Sequence, residues 1–295
     1  GKGTVLGSFA AAAVLLVAFA VVEARASAPM LPLRFLRERD LAGAVLLIGV
    51  VLFAMFVTFF FLTQYFQIVQ GRSPLEAGLL LVAPAVGMIV GSGMAGKLIH
   101  TAGPRVLTVA MVVTVVVPLV VLTGITETTN AGLIAVGLGF FGLGAGLGMP
   151  AMTDTVMAAV PERDAGDGSA LNDVSRQLGG ALGVAIIGSV VNDAYRSNLA
   201  DHAGNLDPGA VHAASEGVGV ASRVAATLPP DEAAALTRAA NEAYVDAMTR
   251  GFALSTAVLL AALVVAVTMI PRWMRGSQAE ATDGDDGMAS GDGDL

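Results

Sequence analysis

Cysteine is absent from this chain of 295 residues, which excludes a disulfide framework, a thiolate metal site and a cysteine nucleophile. Charge is scarce as well: 14% of residues are charged against 55% hydrophobic, too little polar surface to solvate a globular domain in water. Only three histidines occur, His100, His202 and His212, and nothing around them resembles H-E-x-x-H or a Ser/His/Asp set, so the chain does not read as an enzyme. Basic residues number 16 against 24 acidic ones and form no footprint for nucleic acid. Many of the carboxylates behind the net charge of −8 sit in two segments, Ala194 to Asp246 and the tail after Ser277. In that tail Asp283, Asp285 and Asp286 resemble half of a calcium loop, but the spacing then fails, and no metal or cofactor is expected.

What the sequence has instead is long uncharged runs. Ala42 to Tyr65 carries no charge, and comparable stretches recur at roughly 4–22, 77–99, 106–126, 131–153, 170–192 and 250–270. A bilayer core about 30 Å thick is crossed by about 20 helical residues, so each run can span it once. The expected fold is an all-α polytopic membrane protein with the lipid bilayer as its solvent. Lys and Arg concentrate in alternate connections: Arg25, Arg34, Arg37 and Arg39, then Lys97 and Arg105, then Arg163 and Arg176, then Arg272 and Arg275. By the positive-inside rule the C-terminus is cytoplasmic and residues 194–249 form one long external segment, read as a loop plus a helix starting at Pro229, Pro230 and Asp231. The start at Gly1 and the odd number of spans suggest the C-terminal part of a longer protein. The tail 276–295, rich in Gly, Asp and Ser, reads as disordered.

Glycine, 36 residues in all, is the second pattern. Gly91, Gly93 and Gly96 satisfy G-x-G-x-x-G, as do Gly137, Gly139 and Gly142, but a phosphate cradle cannot form inside an apolar twenty-residue run. The small-xxx-small reading is physical: Gly87 with Gly91, Gly142 with Gly146, Gly144 with Gly148, and Gly179 with Gly183 let helix backbones approach closely. Ionisable groups near spans are few, and each needs a reason. Asp173 and Arg176 are three residues apart with Gln177 beside them, spacing that suits a self-neutralising pair or a transport site. Asp154 suits either a proton or cation acceptor or an interface marker, and Glu76 after Pro74 suits a helix N-terminus. Gln64, Tyr65 and Gln67 suit either a cavity wall or a membrane interface.

Four stretches carry a family resemblance. Gly96-Lys-Leu-Ile-His-Thr-Ala-Gly103-Pro-Arg105 resembles the G-x-L-x-x-x-x-G-x-R cytoplasmic turn of major facilitator transporters. Pro32 to Arg37, Gln70 to Gly78 and Asn172 to Gly183 narrow this to the C-terminal half of fourteen-helix drug:proton antiporters, the EmrB/QacA type. The resemblance implies that 1–22 is the last of the extra central helices, 23–41 a basic cytoplasmic linker, and 42–275 a six-helix bundle whose partner is a missing N-terminal half. It implies export of small hydrophobic or cationic substrates driven by protons, with bundle helices three and six facing lipid and the other four lining a cavity. By it, Gly96, Gly103 and Arg105 belong to a conformational-switch turn, and Arg176 and Gln177 to the motif of the fifth helix. The sequence departs from the pattern at His100, which replaces the usual acid of the turn, and in 77–99, which lacks an embedded acid found in some relatives. A uniporter or symporter of the same superfamily shares every motif quoted; a receptor or scaffold that uses the external segment as its ligand site is the reading from another class.

Overall fold

The computed structural model describes residues 39–158, 160–161, 165–204 and 206–269, with isolated helical positions between Gly7 and Arg25. The span 4–22 and the linker 23–41 lie mostly outside the described residues, and Arg272, Arg275 and the tail 276–295 lie wholly outside them. Among the described residues the fold is all-α, with no strand. The helices are α1 (Arg39–Gln64), α2 (Pro74–Leu80), α3 (Ala83–Leu122), α4 (Ala131–Ala158), α5 (Ala165–His202), α6 (Pro208–Ala214), α7 (Val218–Ala225) and α8 (Pro230–Met269). The segments Leu41–Val69, Pro74–Ile99, Ala131–Ala158, Ala165–His202 and Pro230–Val264 are each long and apolar enough to cross a membrane, and Val106–Leu122 is a shorter apolar helix.

Local chemistry sets the helix ends. α1 runs on into a π-helical turn, Tyr65–Val69, and its buried positions recur at helical spacing through Ala44, Ile48, Val51, Thr58, Phe61 and Tyr65. α2 opens with a capping box: Ser73 Oγ accepts from the Glu76 amide at 3.3 Å, and Glu76 Oε2 accepts from the Ser73 amide at 2.9 Å, with Pro74 in the first turn. α3 is two helices meeting at a kink, where Gly103 adopts φ 78°, ψ 163°. A Cβ at Gly103 would meet nothing within 4 Å, so the position requires glycine for its backbone and not for space.

Several boundaries differ from the hydropathy reading. α5 extends the expected 170–192 at both ends to Ala165–His202, and the run 106–126 stops as helix at Leu122. The largest difference is α8, which starts at Pro230 and passes without a break into the expected span 250–270, so the helix expected to start at Pro229–Asp231 and the final span are one element. Hydropathy sees only the apolar half of such a helix, whereas its hydrogen-bond ladder has no reason to end at the interface.

Lipid is as apolar as leucine, so helices associate through close packing and polar contacts. α3 lies along α4, and α1, α5 and α8 pack mutually, with α8 also touching α3. α8 contributes Tyr244, Met248, Phe252, Ser255 and Leu259, all buried along one face.

Candidate functional site

The glycines form two seams on which backbone meets backbone. A Cβ on Gly87 would overlap the backbone of Gly139 and Leu143, and one on Gly91 that of Leu143 and Leu147. From the other side, a Cβ on Gly142 would overlap Pro84, and one on Gly146 would overlap Met88 and Ser92. Gly144 and Gly148 turn to a different face of α4, against Met111, Thr114 and Val115 of the second half of α3. The second seam joins α1 and α5: Gly179 faces the Gly49 carbonyl and Gly183 that of Phe53. Between them lies Gly180, a position without a signal in the sequence, where a Cβ would come within 2.9 Å of the Phe56 ring.

At the end of the bundle marked by Gly103, a Cβ on Gly96 would meet nothing within 4 Å, and the side chains of His100 and Arg105 lie outside the described residues. α4 and α5 meet nearby through Arg176, whose Nη2 donates to Thr153 Oγ1 at 3.2 Å. The Asp173–Arg176 pair expected from their spacing does not form: among the described residues no ion pair joins them, and Arg176 reaches across to α4 while Asp173 is exposed. Asn172, 8% exposed, sits one turn before Arg176, and its Oδ1 and Arg176 Nε are buried without a hydrogen-bond partner. Asp154 and Gln177 are exposed.

At the opposite end, marked by Thr126, α1, α5, α8 and the segment between α6 and α7 enclose a pocket of about 240 Å³. Phe60 and Gln64 enter it from α1, Asn192 and Tyr195 from α5, Tyr244 from α8, and Glu216 from the connection before α7. Both tyrosine hydroxyls are committed elsewhere: Tyr244 donates to the Phe61 carbonyl at 2.9 Å and Tyr195 to that of Ala214 at 3.2 Å. Gln64, Asn192 and Glu216 have no side-chain hydrogen bond or ion pair within the described residues. Gly217, φ 153°, carries the chain past the pocket into α7 in a conformation that other residues rarely adopt.

Tyr65 stands apart from Gln64. It is fully buried and donates to the Thr126 carbonyl at 2.6 Å, while Gln70 Nε2 donates to the Tyr65 hydroxyl at 3.0 Å and to the Thr129 carbonyl at 2.7 Å. Tyr65 thus ties α1 to the α3–α4 connection, and neither it nor the half-buried Gln67 lines the pocket. In that connection Glu127 Oε1 is buried without a partner; desolvation, then the nearby Glu242 carboxylate, raise its pKa above the usual carboxylate range, against a lowering by Arg238.

Exposed apolar surface is not confined to the bundle helices three and six, which the resemblance turns to lipid. Val117 of α3 is 58% exposed, but so are Ile89 at 73% and Leu182 at 51%. A wholly apolar groove of about 450 Å³ also runs between α3 and α4 past Val86, Gly87, Val136 and Phe140. The pocket itself was not legible in local sequence, because its polar groups come from three separated elements and only Gln64 lay within a pattern that pointed to a cavity.

Residues 4–184 match the family described as Major Facilitator Superfamily. The chain is 31% identical over 271 residues to the tetracenomycin C resistance and export protein of Streptomyces glaucescens, covering 89% of this chain and 50% of that protein. It is 29% identical over 246 residues to the multidrug efflux pump LfrA of Mycolicibacterium smegmatis, covering 83% of this chain and 48% of that one. To the puromycin resistance protein pur8 of Streptomyces alboniger it is 35% identical over 193 residues, 64% of this chain and 38% of the relative. The chain spans about half the length of the curated relatives it matches. An all-α bundle of membrane-length helices, a kinked glycine turn and these matches together place the chain in the Major Facilitator Superfamily, to which it belongs.

Proposed function

We propose that the chain is the C-terminal portion of a fourteen-helix, proton-coupled exporter that moves hydrophobic or cationic small molecules out of the cytoplasm by alternating access. The observation that carries this reading is similarity over 89% of the chain to a protein named for export, joined to a bundle whose helices leave apolar faces uncovered. Residues 42–275 then form the C-terminal bundle, residues 1–22 the last of two central helices, and 23–41 a cytoplasmic linker. The N-terminal half supplies the opposite wall of the cavity, and the C-terminus lies in the cytoplasm of a cell whose plasma membrane the protein spans.

In this mechanism the Gly96, Gly103 and Arg105 turn is the point where the inner ends of α3 reorient, since Gly103 already holds a kink there. The glycine seams let α3 and α4 shift as smooth surfaces, without side chains to lock them. Asp154 and Asp173 are the candidate proton acceptors, Arg176 sets the polarity between α4 and α5, and Gln177 is a further candidate group of the same helix. Gln64 is the cavity group of α1. Export of a fluorescent lipophilic cation from cells expressing the full-length protein, with and without a protonophore, tests the proposal. Protonophore-sensitive export is expected, and Asp173→Asn or Asp154→Asn should abolish it with expression intact if that carboxylate carries the proton. Absence of export across cationic and neutral compounds in well-expressed protein overturns it.

A further inference from the structure

We infer that Asn172 and Arg176 of α5 form a site for a single O–H group, supplied by a water molecule or by the hydroxyl of an organic compound. The two residues are four apart on one helix, which puts their side chains on the same face with Cβ atoms about 5–6 Å apart. Asn172 is 8% exposed, and both its Oδ1 and the Nε of Arg176 are out of contact with solvent and without a hydrogen-bond partner among the described residues. Bulk water therefore satisfies neither atom, and a buried polar atom left in that condition is costly. The hydroxyls next to them in sequence are committed: Ser175 Oγ donates to the Leu171 carbonyl at 2.6 Å and Thr155 Oγ1 to that of Ala151 at 2.8 Å. Asp154 and Asp173 are exposed, and among the described residues neither forms an ion pair with Arg176.

The donor and acceptor select their ligand. Arg176 is held before any ligand arrives, because Nη2 donates to Thr153 Oγ1 at 3.2 Å; Nε and Nη2 share one edge of the planar guanidinium, so the free Nε–H opens beside Thr153. A group that satisfies both atoms must accept at Nε and donate at Oδ1. A carboxylate or phosphate accepts from Arg176 but sets its negative charge against the Asn172 oxygen, and an ammonium donates to Asn172 but meets the guanidinium charge. A ketone or ether serves Nε alone. A hydroxyl serves both with one oxygen, and water does so wherever buried polar atoms converge on it. The organic source rests on the export reading, which brings such a compound between α4 and α5; the water source does not. Either source goes beyond that reading by giving Asn172 a ligand.

Two measurements on the full-length protein in lipid nanodiscs test the inference: density at a resolution that shows ordered water, with and without 1-naphthol, and equilibrium binding of 1-naphthol against its methyl ether, 1-methoxynaphthalene. An oxygen bonded to both Arg176 Nε and Asn172 Oδ1 in the map without naphthol assigns the site to water. The naphthol oxygen in that position, with binding that Asn172→Leu weakens about tenfold while the ether is unaffected, assigns it to an organic hydroxyl. Ser189→Ala, on an exposed part of α5, should change neither compound's binding. No oxygen at the two atoms in either map overturns the inference, and so does a direct bond from either atom to another protein group, the N-terminal half included. The maps of the unsubstituted protein decide the question if Asn172→Leu fails to fold. The export assay separates the readings: protonophore-sensitive export with no oxygen at the site removes only this inference, whereas an oxygen there without export removes only the transport reading.

Discussion

The α3–α4 seam and the seam of α8 against α1 and α5 solve the same problem in opposite ways. α3 and α4 meet through glycines whose missing side chains let backbones touch, whereas α8 inserts Tyr244, Met248 and Phe252 between its neighbours. At the Gly87–Gly142 crossing the first seam is backbone against backbone; the second is keyed by large side chains and by the Tyr244 hydroxyl on the Phe61 carbonyl. In a solvent that does not drive apolar surfaces together, close approach and shape are the two available means of association. The comparison teaches that one seam is broken by adding atoms and the other by removing them.

The largest effect should come from addition. Gly142→Leu places a side chain in the backbone of Pro84, and unfolding in detergent should show a loss of about 3 kcal/mol or more. Phe252→Ala, which empties a fully buried position in the other seam, should cost about 3 kcal/mol by the same measurement. If Gly142→Leu were tolerated while Phe252→Ala was not, the glycine seam would be a loose contact and the comparison would fail. Gly103→Ala comes next: no atom obstructs it, so its cost of about 1–2 kcal/mol is backbone strain alone, read as a lower unfolding midpoint with packing intact. Tyr244→Phe removes one hydrogen bond while keeping the ring, and should cost about 1 kcal/mol.

The smallest effect concerns the α3–α4 connection. Burial holds the Glu127 pKa above its unfolded value, so the charged form opposes folding at neutral pH, and acidification through the raised pKa should relieve that opposition. Glu127→Gln should therefore raise the unfolding midpoint slightly at pH 7, by about 0.5 kcal/mol or less after solvent screening, and flatten the pH dependence just above the ordinary carboxylate range. A lower midpoint for the variant would show that Glu127 holds the connection in place.

Legibility followed the range of the physics involved. The spans could be read because membrane insertion responds to local composition, and the capping residue Glu76 because a cap needs only three neighbours. The Asp173–Arg176 pairing was misread because spacing on one helix says nothing about a better partner on another, here Thr153. Tyr65 and Gln64 are adjacent in sequence but turn to different surroundings, one to the Thr126 carbonyl and one to the pocket. Glu216 and Asn192 carried no local signal, since a lone carboxylate in a polar connection and a lone amide near a helix end are ordinary.

The sequence by itself determined that the chain is helical, that it lives in a bilayer, and where most helices run, because hydropathy and helix geometry act over one turn or one span. The family, too, was readable from the turn that ends at Gly103 and Arg105. Only the tertiary structure decided which glycines face backbone, which polar groups remain unpaired, and that Gln64, Asn192 and Glu216 share one pocket. Those outcomes depend on the rotation and depth at which whole helices meet, and contacts between distant segments set both.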